Sequence, residues 1–88
     1  MPTTRERVYD YFASRLPENV GVTVKHGREY DVVTITVTFP VPGGPPVTFT
    51  RRMGVQAYVD LDRSCAYNLD VIKARYMTYL WSEDRRVD

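Results

Sequence analysis

The sequence has one cysteine, one histidine, almost no net charge and no long apolar run. Among its 88 residues, Lys and Arg total 12 and Asp and Glu total 11, which gives a formal net charge of +1. A chain this close to neutral has no overall field that would draw it onto nucleic acid or anionic lipid. No stretch approaches the ~20 apolar residues of a membrane span, and the N-terminus lacks an apolar export signal. We therefore expect neither membrane insertion nor export.

The single cysteine, Cys65, permits no disulfide within the chain. Small secreted domains commonly depend on disulfides to stabilise a weak core, so a reducing, cytoplasmic compartment is the expected location. His26 and Cys65 are also too few for a Cys/His zinc site, which needs several ligands at short spacings. Chains this short form one domain, and 43% apolar residues suffice for a core. We predict a single domain over 1–88 that is a complete short gene product.

Two segments have the periodicity of helices. Thr3 and Glu6 have the spacing of a capping box, and apolar residues follow on one helical face until Pro17, which predicts a helix over 4–16. A second helix is predicted over about 63–83, beginning at an N-cap residue between Asp62 and Asn68, with a frayed tail over 84–88. The core-facing stripe of this last helix is expected to comprise Cys65, Leu69, Ile72, Tyr76, Tyr79 and Leu80.

Alternation of apolar and polar side chains predicts strands over 20–25, 30–39 and 47–53. The proline-rich segment 40–46 is predicted to connect the last two as a hairpin loop, because proline has no N–H to donate to a ladder. The same alternation continues over 55–61, which is either a fourth strand or a loop leading into the last helix. The order predicts an α+β fold, a two-layer α-β-β-β(-β)-α arrangement with an antiparallel sheet and both helices packed on one face. The opposite sheet face would carry mainly threonine.

The last helix is apolar on two sides, although only one side can face the sheet. At 100° per residue, Tyr67, Ala74, Met77 and Trp81 fall opposite the core stripe, where a surface helix normally carries charge, although Asp70 is also near this side. Trp, Tyr and Met are enriched in interface cores and hot spots. We therefore predict that these four side chains bind another protein or a second copy of the chain. The alternative is that Trp81 folds back over the edge of the core.

Arginines support a second hypothesis, nucleic-acid binding. Arg51 and Arg52 are adjacent in a predicted strand, and guanidinium groups bind phosphates. We keep both as candidates for contact with a partner. The order helix, three strands, helix resembles the double-stranded-RNA-binding fold, which implies RNA binding on topology alone. That family carries a lysine cluster entering its second helix, whereas this chain has Asp60 and Asp62 there. Further arginines that this hypothesis would use are Arg63, Arg75, Arg85 and Arg86.

The sequence contains no motif for catalysis, and we expect no enzyme activity, no cofactor and no bound metal. Nucleophilic catalysis needs a nucleophile beside an oriented base, but His26 is predicted in a turn and Cys65 on the core stripe. Asp60 and Asp62 at the head of a helix are explained by capping and the helix dipole. The expected function is that of a small accessory or regulatory protein. One such protein would be an inhibitor or adaptor that a phage or another mobile element encodes and that binds a host protein.

Overall fold

A computed structural model describes residues 3–28 and 31–86 of the chain. The three strands form one antiparallel sheet with β2 in the centre. Both helices contribute to the core on one face of this sheet, α1 lying mainly over β1 and α2 mainly over β3. The predicted two-layer α+β fold is therefore confirmed, with three strands. In chain order the elements are α1 (Thr4–Arg15), β1 (Gly21–His26), β2 (Val32–Val41), β3 (Gly44–Gly54) and α2 (Leu61–Arg86).

The core lies between the helices and one face of the sheet. Strand β2 contributes the side chains of its four odd-numbered residues from Val33 to Phe39 to this core, and all four are buried. Val8 and Phe12 of α1 and the inner stripe of α2 cover them. Full burial of an aliphatic or aromatic side chain of this size stabilises the fold by roughly 1.5–3 kcal/mol. The apolar alternation read from the sequence therefore identifies the buried sheet face correctly.

Helix α1 begins with the predicted capping box. The backbone N–H of Glu6 donates to Thr3 Oγ1 at 3.1 Å, and the backbone N–H of Thr3 donates to Glu6 Oε1 at 3.3 Å. The helix ends at Arg15, one residue earlier than predicted, and Leu16 is already extended with φ −120° and ψ 152°. A residue before proline avoids the helical region because of a clash with the proline ring, and Pro17 imposes this on Leu16.

The connection between β2 and β3 is much shorter than predicted. Only Pro42 and Gly43 form the turn, and Val41 pairs with Gly44 across it. Gly43 has a positive φ of +72°, as the second central residue of a type II turn requires. The proline ring fixes φ of Pro42 near the value that the first central residue of such a turn needs. The register of β2 against β3 shifts between Phe39 and Val41. Two residues of β3 therefore lie opposite the single residue Pro40, which makes a β-bulge. The other prolines of 40–46 therefore lie within strands, at this bulge, where their missing N–H groups would have no partner in the ladder. They are Pro40, Pro45 and Pro46.

Residues 55–61 do not form a fourth strand. The backbone N–H of Val59 donates to the carbonyl of Gln56 at 2.9 Å, which closes a turn. Asp60 then caps α2, since its Oδ1 accepts from the N–H of Arg63 at 3.2 Å. The helix consequently begins at Leu61, two residues before the predicted start.

The predicted frayed tail is wrong for residues 84–86, because α2 continues to Arg86. No glycine or proline interrupts the helix there, and basic residues near a helix C-terminus are favoured by its dipole. Residues 87 and 88 lie outside the described residues, as does the predicted start of β2 at residue 30. The strand bounds also differ from prediction. Both ends of β1 lie one residue later, β2 ends two residues later, and β3 begins three residues earlier and ends one residue later.

Candidate protein-interaction surface

Packing on the sheet fixes which side of α2 faces outward. Cys65, Leu69 and Ile72 are buried in the core. One turn further, the ring of Tyr76 stacks on Phe39 with centroids 4.0 Å apart and planes 8° apart, and its hydroxyl donates to the carbonyl of Pro40 at 3.0 Å. These contacts define the rotation of the helix about its axis.

The outer face of α2, defined by Tyr67, Ala74, Met77 and Trp81, is exposed as that rotation requires. Tyr67 and Met77 are each 63% exposed and Trp81 is 59% exposed. Trp81 is thus not folded back into the core. At 100° per residue the four side chains fall within an arc of about 80°, and residues 67, 74 and 81 recur at a spacing of seven. The structure therefore places the four predicted residues on one surface.

An apolar cleft adjoins this outer face through Met77. The cleft has a volume of about 330 Å³ and lies where the end of α1, the start of β1 and the end of β2 meet α2. Its walls include the stacked rings of Phe39 and Tyr76 and the aliphatic side chain of Leu16. The positively charged Lys73 also lines the cleft. The exposed apolar surface thus continues from the helix into a concave region.

The structure separates the two adjacent arginines. Arg51 lies opposite Ile35 and Arg52 opposite Thr34. Because successive side chains of a strand point to opposite faces, Arg51 lies on the helix side of the sheet and Arg52 on the threonine side. They do not form a joint basic surface. The side chains of Arg85 and Arg86 lie outside the part of the chain that the structure describes.

Arg51 is engaged within the fold. Its Nε donates to Asn68 Oδ1 at 2.9 Å, and Asn68 Nδ2 donates to the carbonyl of Ser64 at 2.8 Å. Asn68 is only 6% exposed. This link between β3 and α2 was not predicted from the sequence, in which Asn68 was only a candidate cap. The available signal was that Arg51 falls in the core-facing phase of β3, because a cation there requires a polar partner.

The other face of the sheet carries threonine, as predicted. Thr34, Thr36 and Thr38 of β2 are half-buried, and the threonines of both neighbouring strands are exposed. The hydroxyls of Thr38 and Thr48 lie 3.0 Å apart, within hydrogen-bonding distance. Arg52 is exposed on this face, beside Thr34.

The thiol of Cys65 is buried and its acidity is suppressed. The side chain is 1% exposed, and burial, followed by the nearby negative charge of Asp62, raises the pKa of Cys65 from 9.0 to about 11. A thiol must ionise to act as a nucleophile or metal ligand. His26 is exposed at the end of β1. Within the described residues, no group of three or more His, Cys, Asp or Glu side chains is placed to hold a metal ion.

No family model, curated protein or solved structure matches this chain. The element order that resembles the double-stranded-RNA-binding fold is present in the structure, but the likeness remains one of order. Over the described residues, neither helix has the apolar length needed to cross a lipid bilayer.

Proposed function

We propose that this chain is a non-catalytic protein-interaction module, a small accessory or regulatory protein that binds its partner through the outer face of α2. The observation that carries the proposal is the clustering of three large exposed side chains, Tyr67, Met77 and Trp81, on one side of one helix. In monomeric proteins, exposed apolar patches larger than about a few hundred Å² mark interaction sites, and here the exposed Asp70 is a charged residue on the same helical face. A single buried thiol suits a reducing compartment, so we place this interaction in the cytoplasm.

The size of the surface supports a specific contact. Residues 67 to 81 span about 21 Å along the helix at 1.5 Å per residue. A fully buried aromatic removes roughly 150–250 Å² from water, and Tyr67 and Trp81 are 63% and 59% exposed. These two side chains can therefore supply at most about 300 Å² of the ~800 Å² per partner of a standard interface, to which Met77 and the adjoining cleft add. Ala74 lies between the large side chains and lets a partner approach the helix closely.

The direct test replaces Trp81 with aspartate. Trp81→Asp replaces the largest side chain of the apolar surface, at its C-terminal end, with a charge, and we expect it to weaken binding by about tenfold or more, while the free energy of unfolding changes by about 0.5 kcal/mol or less. Tyr58→Asp is the matched control, because Tyr58 is 86% exposed but lies in the loop before α2.

Light scattering over a tenfold concentration range comes first, since a second copy would give about 20 kDa in place of 10.2 kDa. For a monomer, the wild type and both variants are compared in affinity capture of a partner, which is then purified and titrated. Trp81 is the only tryptophan, so its emission should shift to the blue and become protected from quenching on binding. A folded Trp81→Asp variant that binds as tightly as the wild type would disprove the proposal.

A further inference from the structure

The outer edge of β3 is a second surface with defined hydrogen-bonding geometry. The backbone N–H of Val55 donates to the carbonyl of Asp31 at 2.7 Å, directly after the pair Val32 and Gly54. Hydrogen-bonded and non-hydrogen-bonded pairs alternate in an antiparallel ladder. The odd residues of β3 therefore bond to β2, while the N–H and C=O groups of Thr48, Thr50 and Arg52 point away from the sheet.

A side-chain contact independently supports this register. Facing side chains approach most closely in non-hydrogen-bonded pairs, and the hydroxyls of Thr38 and Thr48 are 3.0 Å apart. Thr48, Thr50 and Arg52 are all exposed, and β3 is an edge strand. Three N–H donors and three carbonyl acceptors are thus presented in the spacing that an added strand requires.

An apolar groove runs beside this edge on the helix side of the sheet. It has a volume of about 510 Å³ and is lined by Phe49, Val71, Ala74, Arg75, Thr78 and Tyr79. A strand added to β3 would direct alternate side chains toward the helices. The residue of the added strand that lies opposite Phe49 would then place its side chain in the groove.

Charge decides which strand fits. β3 contains Arg51 and Arg52 and has no acidic residue between Gly44 and Gly54, and Arg75 adds a cation to the groove. A second copy pairing through the same edge would place two further arginines beside these and would bring no acidic residue to the edge. An acidic segment would be attracted to Arg52 and Arg75, and also to Arg51, whose charge is not neutralised by its hydrogen bond to the uncharged Asn68.

We propose that the β3 edge and the adjoining groove bind an extended, acidic segment of another protein by strand addition, with an apolar side chain opposite Phe49 and a carboxylate opposite Arg51. Backbone hydrogen bonds supply affinity in this mode of recognition, and the pockets for alternate side chains supply specificity. This site goes beyond the proposed function, since it shares only Ala74 with the outer face of α2 and uses neither Trp81 nor Met77. Either proposal can fail without the other.

The probe is a library of end-capped, fluorescein-labelled octapeptides. Threonine occupies every second position, and the other positions vary among valine, leucine, phenylalanine, glutamate and lysine. Fluorescence anisotropy at low salt should show that glutamate-containing members bind about tenfold or more tightly than their lysine counterparts. Arg75→Glu should remove this preference.

An N-methyl scan of the best peptide tests the backbone geometry without altering the protein. Methylating an amide that faces β3 removes a hydrogen bond, so affinity should fall about tenfold. Methylation of the intervening amides should change it by about twofold or less. In the protein, Thr50→Pro should abolish binding, while Thr50→Val, which keeps the N–H, should not. Because the N–H of Thr50 points away from β2, proline there leaves the sheet ladder intact.

Three results would overturn the proposal. One is that no library member binds, and another is that affinity in the N-methyl scan does not alternate. The third is a species of about 20 kDa that Thr50→Pro converts to monomer and Trp81→Asp does not, because the occupant would then be a second copy.

Discussion

The inner and outer faces of α2 are both apolar, yet only one is buried. The inner face of Cys65, Leu69, Ile72 and Tyr76 meets the sheet and α1, whereas Tyr67, Met77 and Trp81 on the outer face are more than half exposed. Residue type does not distinguish the faces, since tyrosine occurs on both. The difference comes from the sheet, which offers one apolar face and so can bury only one stripe of the helix.

This difference shows what hydrophobicity in a surface helix can mean. The inner face stabilises the fold because its atoms are removed from water when the chain folds. The outer face gains little from folding, because its atoms remain in water in the folded monomer. Its apolar side chains are therefore available to stabilise a complex. Substitutions on the two faces should accordingly affect different equilibria.

The largest effect on stability should come from truncating the inner face. Ile72 is fully buried, and Ile72→Ala should lower the free energy of unfolding by about 3 kcal/mol, within the range of about 2–5 kcal/mol for such core truncations. Met77→Ala, the matched change on the outer face, should alter it by about 0.5 kcal/mol or less. Urea denaturation followed by circular dichroism measures both. Equal losses would mean that the outer face is also packed in the monomer, which would remove the basis of the comparison.

A smaller effect should appear in the pH dependence of stability. The pKa of Cys65 is about 11 in the folded protein and 9.0 ordinarily, so between these values the unfolded chain loses a proton that the folded chain keeps. Stability therefore falls as pH rises through this window and is unaffected below it. Each pH unit corresponds to about 1.4 kcal/mol, which gives a total of about 2–3 kcal/mol.

Cys65→Ala is the control for this effect, because it removes the thiol and leaves every other titratable group in place. Only the difference between the two stability curves belongs to the thiol. In native protein at pH 8, the thiol should also react slowly with a disulfide reagent, since it is both buried and protonated. Parallel stability curves, or rapid labelling, would show that the thiol reaches solvent and that the inner face is less tightly packed than the structure indicates.

Local rules predicted most of the fold because the residues that define each element are close in sequence. The capping box of α1 and the alternation in β2 both gave elements of the right type. The errors arose where a residue acts through its surroundings. Proline was expected to end a strand, but at a bulge its missing N–H has no ladder partner to satisfy. The alternation over 55–61 left a strand and a loop open, and the turn at Gln56 and the cap at Asp60 decide for the loop and start the helix earlier.

The candidate surface was predictable from sequence only where it lies on one element. Tyr67, Ala74, Met77 and Trp81 are related by helical periodicity alone, so their common face follows from their spacing. The groove between β3 and α2 combines residues such as Phe49 and Tyr79, which are thirty positions apart. Only the packing of α2 over β3 brings them together. The hydrogen-bonding edge of β3 likewise depends on which strand lies beside it.

Asn68 is the polar exception within the buried part of α2, and it provides the smallest of the three stability effects. Asn68→Ala should lower the free energy of unfolding by about 2 kcal/mol, because the half-buried guanidinium of Arg51 loses its acceptor. In a double-mutant cycle with Arg51→Met, the two losses should be non-additive by about 1 kcal/mol. Additive losses would mean that the 2.9 Å bond contributes nothing to stability. Arg51 would then gain no fixed position from Asn68, although its charge would remain on the helix side of β3.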